Sequence, residues 1–214
     1  MLKGLELRDV VISKGSTPLV EINATIASGE VLSVMGPSGA GKSTLLAMIT
    51  GNLAPEFHAT GEVWLDGMNI TDLPTHQRRV GILFQDDLLF PHLSVGANLA
   101  FGLRSGGSKR HRAAQIAQAL REVNLEGYAD RDPATLSGGQ KARVALMRML
   151  LADPCALLLD EAFSRLDSAL RTQVRDLVFE RARARDLPVV MVTHDLEDAK
   201  AAGGTVFTIA PHKN

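Results

Sequence analysis

The sequence has a single cysteine, almost no net charge and no long apolar run, and each of these absences narrows its possible functions. The one cysteine among the 214 residues, Cys155, excludes an internal disulfide and fits a reducing compartment. A formal net charge of −1 with 45% hydrophobic residues argues against disorder and against a polyanionic partner. No apolar run approaches the ~20 residues of a membrane span, and residues 1–8 lack the apolar core of a signal peptide. We therefore expect a soluble, cytoplasmic protein that reaches a membrane only through a partner.

Glycine, by contrast, is frequent, and three of the 19 glycines lie in one short loop. An apolar run that predicts a buried strand, Val31–Met35, leads into this loop, and an apolar helical pattern follows it. The residues that we expect to bind a nucleotide here are Gly36, Pro37, Ser38, Gly39, Ala40, Gly41, Lys42, Ser43 and Thr44. They match G-x-x-x-x-G-K-[ST], in which backbone N–H groups curve around phosphates at the positive end of a helix. Lys42 is expected to reach the β- and γ-phosphates and Ser43 to bind Mg²⁺, whereas a simple glycine-rich turn leaves the flanking strand and helix unexplained.

Two carboxylates follow a second apolar strand. The apolar residues 156–159 lead directly into Asp160 and Glu161. At the carboxyl end of a parallel strand Asp160 can hold Mg²⁺, and Glu161 can orient the attacking water and take its proton, a contribution of roughly 10²–10⁴-fold in rate. Alone, this segment could be a strand that ends in a solvated acidic turn, but the phosphate loop upstream favours the catalytic interpretation. His194 follows a further apolar strand and could donate a hydrogen bond to the γ-phosphate.

A rarer motif precedes this acidic strand. Leu136, Ser137, Gly138, Gly139 and Gln140 stand at the head of a helix with apolar periodicity. Ser137 is a good N-cap and the glycines expose backbone N–H groups, so a simple capped helix is the alternative for Ser-Gly-Gly alone. With the phosphate loop before it and the Asp-Glu strand after it, the motif resembles that of the ATP-binding cassette of ABC transporters. Over nearly its whole length the chain resembles the ATPase subunits of bacterial nutrient importers of the iron, sulfate, thiamine and polyamine type.

The resemblance implies roles for further residues. Gln85 would contact Mg²⁺ and the attacking water while it links the core to a helical lobe, and Asp167 would belong to a loop that crosses a dimer interface. Ser137, Gly138, Gly139 and Gln140 would close over ATP bound to the opposite subunit. Because the chain has one copy of each motif, two complete sites require a homodimer. The implied partners are polytopic membrane permease subunits and a periplasmic substrate-binding protein, with no nucleic acid, so the implied location is the inner face of the cell membrane.

Pattern and resemblance together imply an α/β fold: a P-loop nucleoside triphosphate hydrolase with a mostly parallel sheet core, an N-terminal antiparallel β subdomain and an inserted α-helical subdomain. We expect one domain over residues 1–214, with residues 1–85 and 134–214 as the nucleotide-binding core and residues 86–133 as the helical subdomain. The strands predicted in the N-terminal part are residues 5–12, 21–26, 31–35, 61–65 and 80–84. Residues 55–61 are predicted to form a turn.

The chain departs from the family pattern in three places. The aromatic residue that usually stacks on adenine near the end of the first strand is absent from residues 11–15, where Lys14 stands near the expected position. We expect either weaker base affinity or selectivity, or cover of the ring by the aliphatic stem of Lys14. Ala162 replaces the usual proline after Glu161, which leaves the carboxylates usable. No C-terminal β-rich regulatory domain is expected, because the sequence ends at Asn214.

Three other functions are compatible with a phosphate loop. A soluble ABC ATPase of the repair or translation type usually has two cassettes, a coiled-coil insertion or basic extensions, and none is visible here. An unrelated kinase or GTPase leaves residues 136–140 and His194 unexplained. An exporter-type cassette is disfavoured because residues 89–95 resemble those of importers. The apolar side chains of this segment, Leu88, Leu89, Phe90 and Leu93, are expected either to dock a permease or to form the core of the helical lobe.

Overall fold

A computed structural model describes residues 3–209 of the chain as alternating strands and helices. The strands are β1 (Gly4–Lys14), β2 (Thr17–Ala27), β3 (Val31–Met35), β4 (Phe57–Leu65), β5 (Met68–Asn69), β6 (Val80–Phe84), β7 (Ala156–Asp160), β8 (Val189–Val192) and β9 (Thr205–Thr208). The α-helices are α1 (Lys42–Thr50), α2 (Val95–Gly102), α3 (Lys109–Glu122), α4 (Gly138–Leu150), α5 (Ser168–Ala184) and α6 (Leu196–Ala202). The mixed α/β class predicted from the sequence is confirmed.

A five-stranded sheet with the order β6-β7-β8-β3-β9 forms the centre of the fold. The pairs β7–β8, β8–β3 and β3–β9 are parallel. Strands β3, β7 and β8 are almost fully buried along their length, which explains why they have continuous apolar sequences instead of alternating ones. Because β3, β7 and β8 are parallel, the residues that follow them emerge at the same edge of the sheet.

The second sheet is antiparallel between β1 and both of its neighbours, in the order β2-β1-β4-β5. The turn predicted at residues 55–61 is confirmed only at Pro55 and Glu56 and is wrong for residues 57–61, since β4 already begins at Phe57. Gly61 suggested a turn, but it has φ +88 in the middle of β4, where an added Cβ would lie 2.4 Å from the Asp9 carbonyl oxygen. It faces a bulge in β1, whose register with β4 shifts between Arg8 and Val11. The glycine therefore accommodates a close approach of the partner strand, and β4 runs past it to place Phe57 opposite Lys14.

Helix α1 ends against a buried arginine. Arg78 is only 6% exposed, and its guanidinium donates hydrogen bonds to the carbonyl oxygens of Met48 at 2.8 Å, Ile49 at 3.0 Å and Leu73 at 2.7 Å. Burial lowers the pKa of Arg78. Gly51 caps the same helix end with φ +78, and an added Cβ there would lie 2.6 Å from Arg78 Nε. The last carbonyls of α1 are thus satisfied by a cation at the negative end of the helix.

The chain divides into two compact units. Of the described residues, the sheet unit comprises 3–82, 155–161 and 179–209, and the helical unit comprises Leu83–Pro154 and Ala162–Val178. Residues 86–133, the helical subdomain expected from the sequence, lie within the helical unit. Helix α4 belongs to this unit as well, because it packs against α2 and α3. None of the helices in residues 3–209 combines the length and the apolar character needed to span a membrane.

Candidate functional site

The glycine loop in the sheet unit joins β3 to α1. Gly41 is the N-cap residue of α1 and has φ +90, and an added Cβ would lie 2.8 Å from Val20 Cγ2. Gly39 has φ +78, in the left-handed region as well. Both positions therefore require glycine for the backbone to turn into the helix. The first N–H groups of α1 point out of such a helix start, which makes the loop suitable for an anion.

Lys42 lies inside this loop. Its side chain is buried, and Nζ donates to the carbonyl oxygens of Gly36 at 2.9 Å and Pro37 at 2.8 Å. An ammonium group has three donors, so the loop positions this cation without using all of its hydrogen-bonding capacity. Lys42 thereby places a positive charge beside the start of α1.

Ser43 and Asp160 bring together two different parts of the sheet unit. Ser43 Oγ, at the start of α1, donates to Asp160 Oδ1, at the end of β7, at 2.9 Å. The pKa of Asp160 is raised, chiefly by burial and also by Glu161, while the hydrogen bond from Ser43 and the charge of Lys42 act in the opposite direction. A hydroxyl and a partly desolvated carboxylate are hard oxygen ligands of the kind that Mg²⁺ prefers. Among the described residues there is no cluster of three or more His, Cys, Asp or Glu side chains that could hold a metal ion.

Glu161 and His194 follow the neighbouring strands β7 and β8. Glu161 Oε1 lies 3.4 Å from His194 Nδ1, and their side chains are 30% and 61% exposed. The backbone of Glu161 has φ +49, which is uncommon for a residue with a side chain. A hydrogen bond of 3.0 Å from Glu161 N to the carbonyl oxygen of Val192 holds this conformation. Strained backbone of this kind concentrates at functional sites.

A pocket of about 340 Å³ lies beside the glycine loop, with Glu161 in its lining. The residues around it are Lys14, Leu19, Ser38, Gly39, Gly41, Lys42, Ser43, Thr44, Phe57 and Glu161. The sequence predictions missed Leu19 and Phe57. Phe57 lies in the part of the predicted turn that proved to be strand, and its sequence signal was an aromatic residue close to a strand start.

In the helical unit, the motif at residues 136–140, called the signature residues from here on, forms the beginning of α4. Ser137 and Gln140 make a capping box: Ser137 N donates to Gln140 Oε1 at 2.9 Å, and Gln140 N donates to Ser137 Oγ at 3.4 Å. Gly139 has no room for a side chain, because an added Cβ would lie 2.2 Å from Leu170 Cδ1. Leu136, just before the cap, is buried. The motif therefore gives a rigid, closely packed helix start.

Asp167 and Gln85 also lie in the helical unit. Asp167 Oδ1 accepts a hydrogen bond of 3.1 Å from Leu170 N and so caps the start of α5. Gln85 is exposed and directly follows β6, and the next residue, Asp86, forms an ion pair with Arg165. The predicted site residues thus fall into two sets: Gly36–Thr44, Asp160, Glu161 and His194 in the sheet unit, and Gln85, residues 136–140 and Asp167 in the helical unit.

A glycine loop and a buried lysine at the start of a helix, with a serine–aspartate pair beside them, define a P-loop nucleoside triphosphatase. The family model described as ABC transporter matches residues 19–164, more than half of the chain. The chain belongs to the ABC transporter family, as an ATP-binding subunit with ATPase activity.

Curated relatives agree with this assignment. An ABC transporter ATP-binding protein of Escherichia coli (strain K12), YnjD, is 54% identical over 183 residues, covering 86% of this chain and 84% of the relative. The thiamine import ATP-binding protein ThiQ of Jannaschia sp. (strain CCS1) is 43% identical, over 92% of this chain and 84% of the relative. The Fe(3+) ions import ATP-binding protein FbpC of Escherichia coli (strain K12) is 39% identical over 96% of this chain, which spans 59% of that longer relative.

Proposed function

We propose that this chain powers a bacterial nutrient importer: two copies close on ATP as a homodimer and reopen after hydrolysis. The permease partners would be polytopic membrane subunits served by a periplasmic substrate-binding protein, so the ATPase would lie on the inner face of the cell membrane. The observation that carries the proposal is the hydrogen-bonded Ser43–Asp160 pair with Glu161 and His194 beside it. The importer class is supported by the names of ThiQ and FbpC.

The hydrolytic roles follow from the chemistry of the sheet unit. Residues Gly36–Thr44 would hold the phosphates through backbone N–H groups, and Lys42 would turn its remaining donor toward the β- and γ-phosphates. Ser43 and Asp160 would hold Mg²⁺, which neutralises the charge that develops on the phosphates. Glu161 would take a proton from the attacking water, and His194 would donate a hydrogen bond to the γ-phosphate. Gln85 would contact Mg²⁺ and the water from the helical unit.

The signature residues would serve the ATP of the opposite subunit. The N-terminus of α4 carries a helix dipole and backbone N–H groups, and Ser137 and Gln140 already bond to each other, which fixes its shape. A second helix N-terminus directed at the γ-phosphate stabilises charge only when two chains enclose the nucleotide. Asp167, which caps α5, would belong to the loop that crosses the dimer interface.

Mixing two inactive variants tests the shared site. Ser137→Arg should abolish hydrolysis but keep ATP binding by the monomer, while Lys42→Ala should lose ATP binding. A mixture of the two should form heterodimers with one complete site and recover measurable ATPase activity. Full activity of Ser137→Arg alone would contradict a site shared between subunits, and a mixture that stays inactive would show that two working sites are needed together.

The helical unit offers a surface for the permease. Leu88 is 57% exposed and Phe101 is 68% exposed, and Phe101 packs edge-on against Phe90 with ring centroids 4.7 Å apart. The buried Asn98 fixes the segment between them: its side chain accepts from Phe90 N at 2.8 Å and donates to the Phe90 and Leu93 carbonyl oxygens at 3.1 Å. A fixed apolar patch at a protein surface is typical of an interaction site.

The cargo would be chosen by the membrane subunits and the binding protein, not by this chain. The similar ATPases ThiQ and FbpC are named for thiamine and for Fe(3+) ions, which are chemically unrelated. Purification of the tagged chain from membranes should recover a polytopic permease. Recovery of a ribosome or DNA-repair complex instead would favour a soluble ABC ATPase, and ligand-binding assays on the associated periplasmic protein would identify the cargo.

A further inference from the structure

The pocket beside the phosphate loop has a wall that binding of the phosphates does not explain. Lys14, Leu19 and Phe57 line this wall but lie outside the loop and α1. Leu19 and Phe57 are half-buried and pack against the apolar core while still contributing to the pocket. A triphosphate is charged and strongly hydrated, so an apolar surface beside it suits the flat base of the nucleotide and not its phosphates.

We propose that Phe57 is the stacking surface for the adenine ring of ATP. In the β1–β4 ladder Phe57 lies directly opposite Lys14, the residue that stands where an aromatic would be expected at the end of β1. The aromatic face is therefore supplied by β4, at the same end of the same sheet. This inference rests on the proposed binding of the phosphates by Gly36–Thr44, several residues of which line the same 340 Å³ pocket.

Lys14, which lines the same pocket, lies over the face of the Phe57 ring. Lys14 Nζ lies 5.4 Å from the centroid of the Phe57 ring and 3.1 Å from Glu56 Oε1. The Lys14 and Glu56 side chains are 59% and 58% exposed, so their ion pair contributes little and can separate when a base enters. A cation over an aromatic face occupies the position that a π-stacked ring would take.

The same arrangement predicts how selective the pocket is. Stacking tolerates any base, because every base has a π-face, and an ammonium group offers donors to acceptor atoms that both purines carry. ATP and GTP should therefore bind with similar affinity, and most of the base-dependent affinity should depend on Phe57.

Calorimetric titration with ATP, GTP and inorganic tripolyphosphate tests this, with EDTA present so that hydrolysis adds no heat. Phe57→Ala should weaken the binding of ATP and of GTP by about ten-fold, within the range that base–aromatic stacking gives. The affinity for tripolyphosphate should be unchanged. Phe57→Leu keeps an apolar side chain for folding but should lose most of the same affinity for ATP and GTP, whereas Phe57→Trp should keep it. Trp64→Ala is the matched control, because Trp64 lies in the same strand opposite Glu6, at the other end of the ladder.

Normal ATP affinity in both Phe57→Ala and Phe57→Leu would overturn the proposal. Equal weakening of ATP and tripolyphosphate would also overturn it, since Phe57 would then act by shaping the phosphate loop. If instead the proposed binding of phosphates by Gly36–Thr44 is wrong, the unmodified chain would not bind tripolyphosphate, and Lys42→Ala would bind ATP normally.

Discussion

The two compact units hold their chemically important residues in different ways. In the sheet unit the two acidic residues of the site contact segments far apart in sequence, through the Ser43–Asp160 hydrogen bond and the contact between Glu161 and His194. In the helical unit the hydrogen bonds of Ser137 and Asp167 are local, to Gln140 and to Leu170. The first arrangement assembles a site before any ligand arrives, and the second fixes the starts of two helices. The sheet unit is thus suited to the proposed hydrolysis, and the helical unit to presenting rigid surfaces.

The largest loss of ATPase activity should come from a substitution in the sheet unit. Glu161→Gln should slow ATP hydrolysis by roughly 10²–10⁴-fold, because the amide cannot take a proton from water, while ATP binding is kept and an ATP-loaded dimer accumulates. Turnover assays and size-exclusion chromatography with ATP measure both effects. Glu197→Gln, on the exposed face of α6, is the control and should be unaffected. Near-normal turnover in Glu161→Gln would remove Glu161 from the role of general base.

A second substitution tests the stability of α1, the helix that follows the phosphate loop, and not the chemistry of the loop. Arg78→Met should lower the free energy of unfolding by about 2–4 kcal/mol, because buried carbonyl groups that lose a partner cost ~1–3 kcal/mol each. The melting temperature should fall by roughly 5–15 °C for a chain of this size. Arg8→Met, which removes an arginine whose side chain is 44% exposed, is the matched control and should change the melting temperature little. Unchanged stability in Arg78→Met would mean that water satisfies those carbonyls equally well.

The packing of the signature helix can be tested by a pair of substitutions. Gly139→Ala should reduce hydrolysis by about ten-fold, since overpacking costs ~1–3 kcal/mol and the new methyl group would press on Leu170. Leu170→Ala in the same chain should restore part of the activity by making room. If the double variant is no more active than Gly139→Ala, then Gly139 acts through a direct contact with nucleotide.

The smallest effect on the isolated chain should come from the exposed surface of the helical unit. Phe101→Ser should change the free energy of unfolding by less than about 0.5 kcal/mol, as is usual for exposed positions, and leave basal ATPase activity unchanged. Transport in cells should nevertheless be lost if this patch docks the permease. Met68→Ser, at a residue of similar exposure in the sheet unit, should leave transport intact. Parallel loss of stability and transport in Phe101→Ser would mark the patch as part of the core.

The sequence predicted the parallel sheet well because each part of it is encoded locally. The apolar runs of β3, β7 and β8 are buried on both faces, and the predicted ends of β3 and β6 agree with the structure. Phe57 could not be found this way. Its position depends on pairing with β1, and Gly61 suggested a turn because the bulge that requires it lies in another strand. The capping role of Ser137 was predicted, but the reciprocal hydrogen bond that Ser137 N donates to Gln140 Oε1 was found only in the structure.

The contact between Gly51 and Arg78 has a consequence for how related sequences can change. The guanidinium occupies the space that a side chain at position 51 would need, with Nε 2.6 Å from the position of an added Cβ. A side chain at position 51 and an arginine in this conformation at position 78 would therefore clash. We expect substitutions at these positions to occur together during evolution: a relative with a larger residue at position 51 should have lost the arginine and found another way to end the phosphate-loop helix.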